Sequence, residues 1–198
     1  MILVFGSINL DLIFAVDQLP APGETVLGPG VALQPGGKGA NQAVAAARDG
    51  AQVIMAGAVG RDALAPAAFA LLREAGVDLH RVIEVDAATG CAAICTDRQG
   101  RNLIAVGSGA NLLVRDAQVE DALLRPDTTL VLQMEVDPAQ TASLIRRASA
   151  AGSRIVLNLA PAAPLDPAAL RLVDILVVNE HEAAWLARHL GSEVGRLH

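Results

Sequence analysis

Nine residues, "PGGKGANQA" from Pro35 to Ala43, set three glycines (Gly36, Gly37 and Gly39) around one lysine, Lys38. Asn41 then stands at the head of an alanine-rich run. Glycines allow backbone N–H groups to approach a ligand closely, and some can adopt positive φ. The start of the helix that follows favours a hydroxyl or anionic oxygen in front of it. Asn41 carries both a donor and an acceptor, which suits a sugar hydroxyl. A tight strand-to-helix turn without any ligand accounts for the same glycines. Two phosphate-binding patterns do not fit. A P-loop needs Gly-Lys followed by Ser or Thr, and Lys38 is followed by Gly39. A dinucleotide fingerprint needs G-x-G-x-x-G, and counted from Gly37 the third glycine falls on Gln42.

The elements around this loop follow from apolar patterning. "ILVFGS" (2–7) and "AQVIMAGAVG" (51–60) are short apolar runs that predict buried strands. "GANQAVAAARDG" (39–50) predicts a helix closed by Gly50. Asp62 is placed to cap a helix over "DALAPAAFALLREAG", with Pro66 in its first turn and Gly76 at its end. From Val114 onward the rhythm is regular. "VRDAQVEDALL" reads as helix, "TTLVLQM" as strand, "DPAQTASLIRRASAAG" as helix and "SRIVLNL" as strand. "DPAALRLV" (helix), "DILVVN" (strand) and "EHEAAWLARHLG" (helix) follow. Strands alternating with helices of this length imply an α/β fold, a parallel sheet covered on both faces. Segments 12–16, 24–34 and 90–107 break the rhythm and read as hairpin material for a small attached sheet.

In an open α/β sheet, ligands bind beyond the carboxyl ends of the strands. The polar residues there are Asn9 and Asp11, Gln133 and Glu135, Asn158, and Asn179, Glu180 and Glu182. Each also has a plain structural reading. Asp11 fits a turn, and Glu135 a charge ahead of the helix start at Asp137-Pro138. Asn179 and Glu182 have the spacing of a capping box.

Composition narrows the function. Apolar residues make up 53% of 198, with no tyrosine and one tryptophan, and the net charge is −6. There is material for a core but no basic run, so a nucleic-acid or membrane-surface partner is not expected. No apolar run reaches the ~20 residues of a membrane span. The first residues, "MILVFGSINLDL", lack the basic segment of a signal peptide and read as a strand, so a cytoplasmic location is expected. Cys91 and Cys95 would stand roughly 13 Å apart on one strand, too far for a disulfide, and read as free thiols.

Taken together, the run "GGKGANQAVAAARDGAQVIMAGAVG" (36–60) resembles the first signature of the ribokinase-type sugar kinases, the phosphofructokinase-B family. "GSINLDL", "PAPGET" (20–25), "SGAN" (108–111), "LQMEV" (132–136), "LNLAPA" (157–162) and "VVNEHEA" (177–183) follow in the family's order. "PGGKGANQA" and "GSINLD" are more similar to ribokinases than to fructokinase-like or adenosine-kinase-like members. The resemblance covers nearly the whole chain. It implies a Rossmann-type α/β domain with a β-sheet lid that also forms a homodimer contact. It implies phosphorylation of a sugar hydroxyl by ATP, D-ribose to D-ribose 5-phosphate. ATP and Mg²⁺ would be the cofactors, with a monovalent cation such as K⁺ in the complete enzyme. Asn9, Asp11, Gly37, Lys38, Gly39, Ala40, Asn41 and Glu135 would then surround the sugar, with Lys38 toward the phosphate side. Asn179 would meet the nucleotide phosphates, and Glu182 would hold Mg²⁺ through water. The chemistry suits these types: an ionised Asp11 only accepts, and its charge-assisted bonds to hydroxyls are strong. Glu182 offers the hard oxygen that Mg²⁺ prefers.

One family element is absent. The Gly-Ala-Gly-Asp motif that carries the family's catalytic aspartate does not occur in these residues, and "GSGAN" (107–111) has no aspartate. No catalytic base is therefore identified. The expectation is a single incomplete ribokinase-like domain over 1–198, about the first two thirds of the usual chain, inactive alone. The alternative is a non-catalytic sugar-binding or dimerisation module.

Overall fold

The computed structural model describes residues 1–191. In chain order they form β1 (Ile2–Phe5), β2 (Asn9–Ala15), β3 (Val31–Gly36), α1 (Lys38–Arg48), β4 (Val53–Gly60), α2 (Ala65–Ala68), α3 (Ala70–Glu74) and β5 (Asp78–Val85). β6 (Gly90–Thr96), β7 (Asn102–Gly107), β8 (Thr129–Leu132), α4 (Pro138–Ala150), β9 (Arg154–Asn158), α5 (Pro167–Leu170), β10 (Ile175–Val177) and α6 (Glu180–His189) complete them.

Six strands make one sheet in the order β10-β9-β8-β1-β4-β5, and every neighbouring pair is parallel. Alternation along the strands divides the core into two layers. Leu3 and Phe5 of β1, with Ala56 and Ala58 of β4, pack with Leu144, Ile145 and Ala148 of α4 and with Trp185 of α6. Val4 between them, with Val53, Met55 and Val59, packs with Ala43 and Val44 of α1 and Leu72 of α3. The alanines of α1 let that helix lie close to the sheet. The parallel sheet with helices on both faces is the architecture the strand–helix rhythm implied.

A second sheet, β3-β2-β6-β7, is mixed: β2 pairs parallel with β6, and the other pairs are antiparallel. It draws on the segments that broke the rhythm, with two differences in extent: β2 runs Asn9–Ala15 and so starts three residues before the expected 12–16. Residues 24–30 hold no strand, and β3 starts at Val31. Pro29 has no N–H for a ladder, which disfavours pairing there. Cys91 and Cys95 are free thiols on β6.

Two helix expectations are revised. Residues 114–124 form two short 3-10 turns, Asp116–Gln118 and Asp121–Leu123, rather than one helix. Val114, Val119 and Leu124 are the buried residues of this stretch. A spacing of five turns each about 140° away from the last on an α-helix, so one helix could not bury all three. The segment after Asp62 is broken at Phe69 into α2 and α3. Asp62 does cap it, accepting from the amides of Leu64 and Ala65, and also binds the amide and hydroxyl of Thr89. Among the described residues no helix is long and apolar enough to cross a membrane.

Candidate functional site

Because the large sheet is all parallel, its carboxyl ends lie along one edge. The segments that leave β1 and β8 meet there, and the start of α1 crosses between them. A cavity of about 270 Å³ opens between this edge and the small sheet. Asn9, Val106, Asn111, Met134, Glu135 and Pro161 are among its lining residues.

The glycines of the loop before α1 answer to close packing. Gly37 has φ +90°, and a Cβ there would lie 2.8 Å from the Asn9 nitrogen and 2.9 Å from the Ser7 carbonyl oxygen. At Gly39 a Cβ would lie 2.7 Å from the Ser7 nitrogen. At Gly36 it would overlap the Asp11 carboxylate. The small residues therefore bring the helix start onto the main chain of residues 7–9 and leave room for Asp11.

The amides at the helix start are engaged by protein groups. Lys38 N donates to Glu135 Oε2 at 2.9 Å, Gly39 N to Ser7 Oγ at 3.2 Å, and Ala40 N to the Ser7 carbonyl at 2.9 Å. Asn41 N donates to the Gly37 carbonyl at 2.9 Å. The anionic oxygen that the sequence led us to expect before this helix is thus supplied by the chain itself, as Glu135, whose charge is favourable at a helix N-terminus. Ser7 Oγ donates to the same Glu135 oxygen at 2.6 Å, and Lys38 Nζ lies 3.5 Å from the other. Gly39 and Ala40 are buried against Ser7, whereas Asn41 is exposed on α1.

Asn9 is buried, and Asp11, two residues along β2, is on the same face and partly exposed. Burial raises the Asp11 pKa above the usual aspartate range, the Glu135 charge raises it further, and Lys38 opposes both. The structure thus gathers Asn9, Asp11, Gly37, Lys38 and Glu135 into one polar corner.

Asn179 and Glu182 stand elsewhere on the edge. β10 is three strand spacings from β1, roughly 14 Å at ~4.8 Å each. The two residues form a reciprocal capping box on α6. Glu182 N donates to Asn179 Oδ1 at 2.8 Å, and Asn179 N and Nδ2 donate to the Glu182 carboxylate at 2.8 and 3.0 Å. Gln133, another edge residue, turns inward and donates to the Phe5 carbonyl at 3.0 Å. Among the described residues no group of three or more His, Cys, Asp or Glu side chains is placed to hold a metal ion.

Two contributors were not singled out from sequence, Ser7 and Asn111. Ser7 follows the end of β1, where polar residues carry most weight, but small hydroxyls there are common. Asn111 lies in the "SGAN" stretch and reaches Asn9 only through the fold. Ser7→Ala would remove one of the charge-assisted bonds to Glu135, leaving that from the Lys38 amide, and would leave the buried Gly39 amide without its acceptor. A loss of about 2–4 kcal/mol in folding stability is expected. Urea unfolding of the two proteins measures it, and coincident midpoints would show that the bridge contributes nothing.

Comparison with known proteins identifies the family. The family model described as pfkB family carbohydrate kinase matches residues 1–196. The ribokinase of Mus musculus is 34% identical over 196 residues, spanning 97% of this chain and 61% of that protein. The ribokinase of Bacillus subtilis is 37% identical over 187 residues, spanning 93% and 64%. A crystal structure of ribokinase from Thermotoga maritima superimposes with a TM-score of 0.86 at 29% identity, covering 98% of this chain and 65% of that one. The structure of Arabidopsis thaliana ribokinase complexed with ribose and ATP gives a TM-score of 0.83 at 29% identity, covering 94% and 62%. The chain therefore spans slightly under two thirds of the length of these relatives.

Proposed function

The chain belongs to the pfkB family of carbohydrate kinases, and from that premise we propose that its polar corner binds the sugar in an ATP-dependent phosphorylation of D-ribose to D-ribose 5-phosphate. The observation that carries this reading is the meeting of Asn9, Asp11 and Glu135 beside a cavity at the carboxyl edge of the sheet. The two carboxylates accept from hydroxyls, and the Asn9 amide complements them. Gly37 keeps the loop close, Lys38 carries positive charge toward the phosphate side, and Asn41 borders the sugar from α1. Gly39 and Ala40 act from behind, by seating the helix on Ser7. That ribose and ATP accompany the Arabidopsis thaliana relative supports both ligands.

Asn179 and Glu182 are the residues that would face the nucleotide and its Mg²⁺. Each Glu182 oxygen accepts one hydrogen bond from Asn179, which leaves further lone pairs for a bound water. A single carboxylate suits an ion that keeps much of its water shell, as Mg²⁺ does, and not an all-protein cage. When bound, the ion would offset charge on the phosphates. The chain's own part is to orient the sugar and to hold the head of α6 rigid.

The small sheet would act as a lid and join two copies. Leu33 and Leu103, on the face of that sheet opposite Asp11, are each about half exposed, which supports an apolar homodimer contact there. A monomer in sedimentation at micromolar concentration would sink that part.

The test of function is incubation of the chain with MgATP and D-ribose, following ADP and ribose 5-phosphate against a sugar-free control, with calorimetric titration of ribose alongside. Ribose-dependent product supports the kinase reading. Ribose binding without product favours a non-catalytic sugar-binding module. Neither binding nor product from the folded chain overturns both.

A further inference from the structure

Asn111 is a buried residue in the wall of the candidate site and follows the end of β7. The Ile8 amide donates to Asn111 Oδ1 at 2.9 Å, and Asn111 Nδ2 donates to Asn9 Oδ1 at 2.7 Å. Amide side chains can ordinarily be placed either way round. Here the series begins at a main-chain N–H, which can only donate. The Asn111 atom facing Ile8 must be its oxygen, so the opposite end is the NH2. The Asn9 atom facing that NH2 must in turn be an oxygen. What Asn9 has left is its own NH2, and Asn9 lines the cavity. Gly90, at the start of β6, makes room for the pair, since a Cβ there would overlap both Asn111 Nδ2 and Asn9 Oδ1.

We propose that Asn111 is a positioning residue that fixes Asn9 as a hydrogen-bond donor toward the cavity, so that the ligand must present an acceptor oxygen at that point. With Asp11 and Glu135 as acceptors, the site becomes polarised: one ligand group must accept, and others must donate. A hydroxyl satisfies either demand, while a protonated amine satisfies only the second. The identity of the ligand rests on the sugar reading above, but the polarity of the amide relay does not.

The first test needs no ligand. In the isotopically labelled chain, hydrogen-bond scalar couplings are expected from Ile8 ¹⁵N to Asn111 ¹³Cγ and from Asn111 ¹⁵Nδ2 to Asn9 ¹³Cγ. A coupling in the reverse sense, from Asn9 ¹⁵Nδ2 to Asn111 ¹³Cγ, or none at all, overturns the proposal. The second test uses Asn111→Asp, which keeps the acceptor for Ile8 but cannot donate, so Asn9 must turn its NH2 inward and its oxygen toward the cavity. Ribose affinity is expected to change by less than about tenfold, because the hydroxyl that accepts from Asn9 can turn and donate to it instead. In a panel of riboses with one hydroxyl replaced by an amine, one position is expected to gain at least about tenfold relative to ribose. An equal change at every position reflects the added charge or general disruption and counts against the proposal. If the parent chain shows the expected couplings but binds no ribose, the sugar reading falls and the donor assignment stands. If ribose binds and the couplings are reversed, the assignment falls alone.

Discussion

Gly37→Ala is expected to lower folding stability by about 2–6 kcal/mol and to remove sugar binding with it. Two effects combine. Gly37 holds φ +90°, where an L side chain is strained by about 1–3 kcal/mol. The new Cβ would also press on main-chain atoms, the Asn9 nitrogen at 2.8 Å and the Ser7 carbonyl at 2.9 Å. Backbone cannot rotate away as a flexible side chain can, and overpacking of this sort adds about 1–3 kcal/mol. A small domain has only about 5–15 kcal/mol in total, so much of its stability would go. Gly50→Ala is the control. Gly50 has φ +91°, but a Cβ there meets nothing within 4 Å. It should therefore show the conformational part alone, about 1–3 kcal/mol, and leave ribose binding intact. Denaturant unfolding of both variants separates strain from collision. Equal losses would show that the contact with residues 7–9 does not matter.

Asp11→Asn is expected to weaken ribose binding by about 100-fold or more while leaving the fold as stable as before, or more so. The affinity loss follows from two charge-assisted hydrogen bonds, each worth about 1.5–3 kcal/mol. The stability effect follows from proton linkage. The Asp11 pKa is raised, first by burial and then by the Glu135 charge, against the pull of Lys38. A raised pKa means that the folded state binds the proton more tightly than the unfolded one. The charged group therefore opposes folding at neutral pH. That opposition is relieved as pH falls through the raised value, and is gone below the ordinary aspartate pKa. Asparagine removes it at every pH, so any gain over the parent should appear at neutral pH and vanish in acid. The same titration should make parental ribose affinity level at neutral pH and weaken it by up to about tenfold per pH unit below the raised pKa. Calorimetry across pH, paired with unfolding curves, checks both. A parental affinity that stays level through the acid range would show that the Asp11 charge is not what the sugar meets.

The two residues differ in how much of their role is legible in the sequence. Asp11 was legible because it follows a first apolar strand, in "GSINLDL", at the sheet edge where ligands bind, although a turn accounted for it too. The glycines before α1 were legible as a close approach, but what they approach was not. They meet residues 7–9, thirty positions upstream, and the helix start receives Glu135 from almost a hundred positions downstream. Asn179 and Glu182 carried two readings in sequence, and their capping box realises the local one without displacing the other.

By itself the sequence determined the alternation of strands and helices, hence a parallel sheet covered on both faces, and the polar residues that end its strands. Those properties are local, since periodicity, turn residues and side-chain type act within a few positions. The tertiary structure alone decided that Ser7, Lys38 and Glu135 form one bridge, and that Asn111 sets the amide of Asn9. It also replaced an expected helix at 114–124 with two turns whose spacing suits three buried side chains. Hydrogen-bond polarity depends on which donor faces which acceptor across 102 and 103 residues of chain, and no local pattern encodes that pairing.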